Sequence, residues 1–199
     1  MSIFNDNIVL NISRLLNEPI DRNKIITDIE EAARKHPYTR RTPVWLSVPL
    51  RSVGGEIGEK ASGSTGIYNS SDETLYENTE VMQPYIKSII DQIGAPLLKV
   101  RILKLKSGAS ITEHVDSFQS DDIFRFHIPV ITHPSVEFWL DGHPYYIPSG
   151  QLCYLNVRKK HKVLNKSKID RIHIVFDVKS TPELEQRVKE CAVKIDPWF

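Results

Sequence analysis

Phe124-Arg-Phe-His-Ile-Pro-Val130 and Arg171-Ile-His-Ile-Val-Phe-Asp-Val178 are the two stretches whose reading decides the fold. Successive side chains of a strand point to opposite faces of its sheet. In the first stretch Arg125 and His127 share one face, and Phe124, Phe126, Ile128 and Val130 share the other. In the second, Arg171, His173 and Asp177 oppose Ile172, Ile174, Phe176 and Val178. Each stretch is therefore a strand with one polar and one apolar face. An antiparallel sheet with its polar face in water satisfies that pattern. A barrel whose polar face points inward, with helices covering the apolar face, satisfies it equally well.

Outward from these strands, residues 97–178 are short β-branched and aromatic runs separated by turn signals at Ser107-Gly108, His133-Pro134, Asp141-Gly142 and Pro148-Ser149-Gly150. Asp141-Gly142 suits a two-residue hairpin turn joining 136–140 to 143–147, because both central residues tolerate positive φ. A mainly β fold with flanking helices is expected. Helices are predicted over 21–35, with Asp21 as cap, over 81–93, with Gly94 as stop, and over 182–193. A strand is expected at 44–50. Residues 52–78, with glycines at 54, 55, 58, 63 and 66, read as a long loop, either a lid that folds over the site or a disordered insertion. With no internal repeat or linker, one domain over 1–199 is expected. It comprises a helical segment at 1–40, a β core at 44–178 and a closing helix at 181–199.

Composition removes several classes of function. Lys+Arg 26 against Asp+Glu 25 gives a formal charge of +1, which supplies no global attraction to nucleic acid or an anionic membrane. Cys153 and Cys191 form neither a disulfide framework nor a Cys-x-x-Cys pair. No stretch is long and apolar enough to span a bilayer, and residues 1–7 lack the pattern of a signal peptide. A cytoplasmic enzyme is expected.

The chemistry lies in Ile111-Thr-Glu-His-Val-Asp116, then His161, then Arg171. Two imidazoles and a carboxylate can take one face of an octahedral Fe(II) and leave positions open for O2 and a co-substrate. A guanidinium grips a carboxylate through two parallel hydrogen bonds, so Arg171 suggests 2-oxoglutarate. Each residue also has a plain structural alternative. His161 lies in the basic run Arg158-Lys-Lys-His-Lys162, which is otherwise a solvated turn, and Arg171 can pair with Asp170 or Asp177, or Arg125 with Asp121 or Asp122. Order favours the site: His-x-Asp on a strand, a hairpin region, a second His, then Arg at the head of the last strand. In a jelly roll those strand ends meet at one mouth. Glu113 should face outward, and Arg40, Arg41 and Arg51 are candidates for recognising a substrate carboxylate.

Arg125-Phe-His127, His161-x-Val163-x-Asn165 and Arg171-Ile-His173-Ile-Val-Phe-Asp177-Val together resemble the aspartyl/asparaginyl β-hydroxylases, 2-oxoglutarate dioxygenases that include bacterial cis-proline hydroxylases. The likeness covers roughly 44–178. It implies a double-stranded β-helix (a cupin-like jelly roll), Fe(II) on His114, Asp116 and His161, and Arg171 on the distal carboxylate of 2-oxoglutarate. Arg125 and His127 match positions that help to bind the co-substrate. Animal members have glycine where this chain has Asp116, so the likeness is to bacterial members with a complete triad. The expected activity is hydroxylation of an amino acid, free, carrier-bound or in a peptide. The alternatives are a cupin-type isomerase or hydrolase, which has no use for Arg171, and a non-catalytic jelly-roll module, in which a buried Asp116 would be costly.

Overall fold

The computed structural model of the chain describes residues 2–40, 42–58, 61 and 69–198. In chain order its strands are β1 (Val9–Asn11), β2 (Thr39–Arg40), β3 (Trp45–Val53), β4 (Tyr76–Asn78), β5 (Leu97–Leu105), β6 (Ser110–His114), β7 (Ile123–Ile131), β8 (Val136–Leu140), β9 (His143–Tyr145), β10 (Cys153–Leu155), β11 (His161–Asn165), β12 (Arg171–Lys179) and β13 (Val193–Lys194). The α-helices are α1 (Ile3–Asp6), α2 (Arg22–Lys35), α3 (Pro84–Asp91) and α4 (Pro182–Cys191). A larger antiparallel sheet runs β13-β1-β10-β7-β12-β5-β3-β2, with β4 added to β3, and a smaller one runs β6-β11-β8-β9.

β12 lies between β7 and β5 at the centre of the larger sheet and is buried on both faces. Its apolar side, Ile172, Ile174, Phe176 and Val178, joins that of β7 in one cluster with Ile25 and Ile29 of α2 and Ile86 and Ile90 of α3. The Phe126 and Phe176 rings meet edge to face at 5.7 Å, and burying each contributes about 1.5–3 kcal/mol. Between the sheets a second cluster, including Leu105, Phe138, Leu140, Leu155 and Val163, closes the interior. His127, Arg171, His173 and Asp177 are buried there. Of the two placements the alternation allowed, the inward polar face is the one adopted. The architecture is a double-stranded β-helix.

Local chemistry explains most boundaries. Asp21 caps α2 by accepting from the backbone N–H of Asn23 at 2.9 Å and of Lys24 at 3.2 Å. The second helix begins at Pro84 rather than 81, because a proline without an N–H fits the first helical position. Asp141 (φ 51°) and Gly142 (φ 83°) form the expected hairpin turn between β8 and β9.

Three expectations need correction. The first forty residues are not only helical, since β1 pairs Leu10 with Tyr154 of β10 and covers that strand's otherwise open edge. The closing helix stops at Cys191, and Val193 pairs with Asn11 in β13. Residues 52–78 are not one loop. β3 runs on to Val53, Gly54 and Gly55 turn at positive φ, and Tyr76–Asn78 returns along β3. Residues 59–60 and 62–68, with Gly63 and Gly66, lie outside the described residues, and that part of the expected lid with them. No helix among the described residues is long and apolar enough to cross a membrane.

Candidate active site

β6 and β11 pair in the smaller sheet with His114 directly opposite His161, and their ring centroids are 4.1 Å apart. A register shift after His161 marks a local irregularity of the kind that re-aims a side chain. Asp116, two residues past β6, is tied down where its backbone N–H donates to the carbonyl of Val157 at 2.9 Å. His114 Nδ1 meets the Thr112 carbonyl at 2.8 Å, and His161 Nδ1 meets the Lys159 carbonyl at 3.0 Å. A carbonyl only accepts, so both Nδ1 atoms carry the proton and both Nε2 atoms offer a lone pair. Nε2 of His114 lies 3.5 Å from Asp116 Oδ1, and Nε2 of His161 lies 4.0 Å from Asp116 Oδ2. All three donor atoms fall within 4.8 Å of one another, a set that can hold a metal ion.

The basic run around His161 divides at the sheet edge. Lys159 and Lys160 are exposed, whereas His161 is buried with its ring stacked on Phe138 at 5.9 Å and 8°. Burial is the largest influence on His161 and lowers its pKa, favouring the neutral ligand form. For Asp116 burial raises the pKa, but Arg125 and the two imidazoles outweigh it and hold the carboxyl well below the usual range. Glu113 is exposed, as expected.

His114, Asp116 and His161 line a cavity of about 180 Å³ between the sheets, together with Arg101, Arg125, His127, Phe138 and Arg171. Arg171 is 3% exposed, and burial pulls its pKa down to about 9. At neutral pH it remains a cation, and no carboxylate among the described residues pairs with it. One of its amino groups, Nη2, donates to His173 Nδ1 at 2.7 Å, its face lies over Phe138 at 5.9 Å, and its Nε has no protein partner. A buried cation held in place on one side and unbonded on the other fits a carboxylate arriving from the cavity. His127, buried with neither ring nitrogen hydrogen-bonded, is kept neutral first by burial and then by Arg171.

Arg125 differs from the plain alternative considered for it. It pairs with Asp177 and Asp116, while Arg158 approaches Asp121 at 3.6 Å. Arg51 is not among the residues lining the cavity and donates to the Leu97 carbonyl at 3.2 Å and to Asn78 at 3.3 Å. The Arg40 side chain and Arg41 lie outside the described residues. Sequence reasoning missed Arg101 and Phe138. Arg101 was detectable as a cation inside the apolar run 97–105, where burying a charge is costly without a purpose. Phe138 carries no such signal.

The family profile for Aspartyl/Asparaginyl beta-hydroxylase matches residues 12–181, reaching through α2 beyond the stretch in which the resemblance was read. A comparison with curated protein sequences finds no match. Among solved structures, the non-heme alpha-ketoglutarate-dependent carbocyclase SnoK from nogalamycin biosynthesis is similar at 13% identity, covering 88% of this chain and 81% of that one, with TM-score 0.57. HygX from Streptomyces hygroscopicus, with nickel and 2-oxoglutarate bound, is similar at 11% identity over 90% and 85%, with TM-score 0.54. An oxidoreductase of the 2OG-Fe(II) oxygenase family from Burkholderia pseudomallei matches at 12% identity over 78% of each chain, with TM-score 0.52. At such identities the likeness establishes the shared fold. The profile match spans most of the 199 residues, and the chain belongs to the aspartyl/asparaginyl β-hydroxylase family of oxygenases.

Proposed function

We propose that the protein is an Fe(II)- and 2-oxoglutarate-dependent dioxygenase that hydroxylates an amino acid, free, carrier-bound or within a peptide. The observation that carries this reading is the pairing of two features in one cavity: two imidazole Nε2 atoms directed at Asp116, and a buried Arg171 with no acidic partner among the described residues. The donor set suits Fe(II), and the Arg171 guanidinium suits the far carboxylate of 2-oxoglutarate. When bound, metal and co-substrate supply O2 activation coupled to oxidative decarboxylation.

The chain's own residues do the rest. The backbone carbonyls of Thr112 and Lys159 hold the imidazoles in their metal-binding tautomer. His173 and Phe138 fix the plane of Arg171. Ile111, Phe138, Val157 and Val163 give the cavity apolar walls that limit water. Arg101, 2% exposed and also in the cavity, adds positive charge there, with its Nη2 3.9 Å from Asp177 Oδ2. The free cysteines, Cys153 and Cys191, support a reducing, cytoplasmic compartment. An isomerase would leave Arg171 buried without use.

The test is succinate formation from 2-oxoglutarate by the Fe(II)-loaded protein, screened over free amino acids and peptides. Product with one added oxygen, formed in step with succinate, is expected for at least one of them. Conversion of a candidate with no 2-oxoglutarate consumed would favour the isomerase reading.

A further inference from the structure

Asp177 offers no atom to the metal set, yet both of its oxygens are engaged. Arg125 Nε donates to Oδ1 at 2.6 Å and Arg125 Nη2 to Oδ2 at 2.9 Å, while the remaining arm, Nη1, donates to Asp116 Oδ2. The first two bonds form the planar fork in which a guanidinium has least freedom. Sheet register sets the fork, because Asp177 on β12 lies directly opposite Arg125 on β7. With two arms fixed, the direction of the third follows, and it ends on a carboxylate nine residues earlier in the chain.

We propose that Asp177 and Arg125 form a brace that orients the Asp116 carboxylate, making Asp177 a positioning residue for a metal ligand it does not touch. The inference rests on the reading of His114, Asp116 and His161 as the metal set. Its chemical consequence concerns which oxygen is offered. Oδ2 of Asp116 is occupied by Arg125, so Oδ1, 3.5 Å from His114 Nε2, is the oxygen left for a cation. A carboxylate held this way binds through one oxygen. One that bound through both would fill a coordination position needed by O2 or co-substrate.

The surroundings keep the brace in place. The Arg125 and Asp177 side chains are 14% and 10% exposed. Phe118 lies against the guanidinium of Arg125 at 4.9 Å and against that of Arg158 at 4.5 Å. Arg158 in turn donates to the carbonyls of Ser120 and Ile123 at 2.7 and 3.0 Å, fastening the segment that carries Phe118. Arg125 was expected at the sequence level to meet the co-substrate. Three of its five N–H groups go to the two carboxylates, and the residue still lines the cavity in which that contact is expected.

The experiment is a Co(II) titration of the purified full-length protein, followed by the metal's visible absorption, with near-ultraviolet circular dichroism as the check on folding. Asp177→Asn is expected to weaken Co(II) binding by about 10–100-fold, the usual effect of losing a group that orients a ligand. Arg125→Gln is expected to weaken it similarly, and adding Asp177→Asn to Arg125→Gln should change nothing further, because the link is already cut. Where Asp177→Asn alone fails to fold, the comparison of the double variant with Arg125→Gln still stands, with Arg101, whose Nη2 lies 3.9 Å from Asp177 Oδ2, retained in both. A further loss of about tenfold on adding Asp177→Asn to Arg125→Gln would show an independent role for Asp177 and overturn the brace. Asp116→Ala separates the two levels of the argument. Loss of Co(II) binding in Asp116→Ala with wild-type affinity in Asp177→Asn overturns the brace alone, whereas wild-type affinity in both overturns the metal set and the brace with it.

Discussion

His161→Ala, His114→Ala and Asp116→Ala are each expected to abolish turnover and to weaken divalent-metal binding by more than the ~10–100-fold typical of losing an outer partner. With one of three protein ligands gone, the metal is held by two, and the open face no longer has a defined geometry. The fold should survive in His114→Ala and Asp116→Ala, because these residues sit at the mouth with side chains 32% and 23% exposed rather than in either of the two larger apolar clusters. Metal titration, steady-state assay and thermal unfolding of the three variants check this together. Wild-type iron binding and activity in His161→Ala would exclude that residue, and His127 or His173, the other buried histidines of the interior, would replace it as candidate.

Arg171→Gln should raise the Michaelis constant for 2-oxoglutarate about 30-fold or more while leaving metal affinity unchanged. Truncating one partner of a buried charge pair costs about 2–5 kcal/mol, and each 1.4 kcal/mol is tenfold. Arg171 is well placed for so large an effect: it is buried, no described carboxylate competes for it, and His173 and Phe138 hold its plane. Arg171→Lys should recover only part of the loss, because an ammonium keeps the charge but not the two-bond fork, and cannot reproduce the contact with His173 Nδ1 in the same geometry. Steady-state kinetics in 2-oxoglutarate for both variants, with metal affinity measured separately, decide the point. An unchanged constant in both would make Arg171 structural and reopen the isomerase reading.

Strand alternation made much of this legible before any coordinates. Period two placed Arg125 with His127, and Arg171 with Asp177, and burial in the structure settles which way those faces point. The order His-x-Asp, His, Arg was equally readable, because β6, β11 and β12 deliver their ends to one mouth of a jelly roll. Pairing between distant segments was not readable. Asp177 was weighed as a partner for Arg171, but their shared face says nothing about which neighbouring strand brings a partner. Register with β7 gives Asp177 to Arg125 and leaves Arg171 to the cavity. β1 and β13 were missed for a related reason. Runs as short as Val9–Asn11 and Val193–Lys194 carry no periodic signal, and they become strands only because an edge is there to receive them.

The most direct measurement is anomalous diffraction at the iron edge from crystals grown without oxygen in the presence of Fe(II) and 2-oxoglutarate. The account predicts one iron peak bonded to His114 Nε2, Asp116 Oδ1 and His161 Nε2, with the far carboxylate of 2-oxoglutarate on Arg171. Iron bonded to His127 or His173, or a co-substrate carboxylate lying away from Arg171, would contradict it.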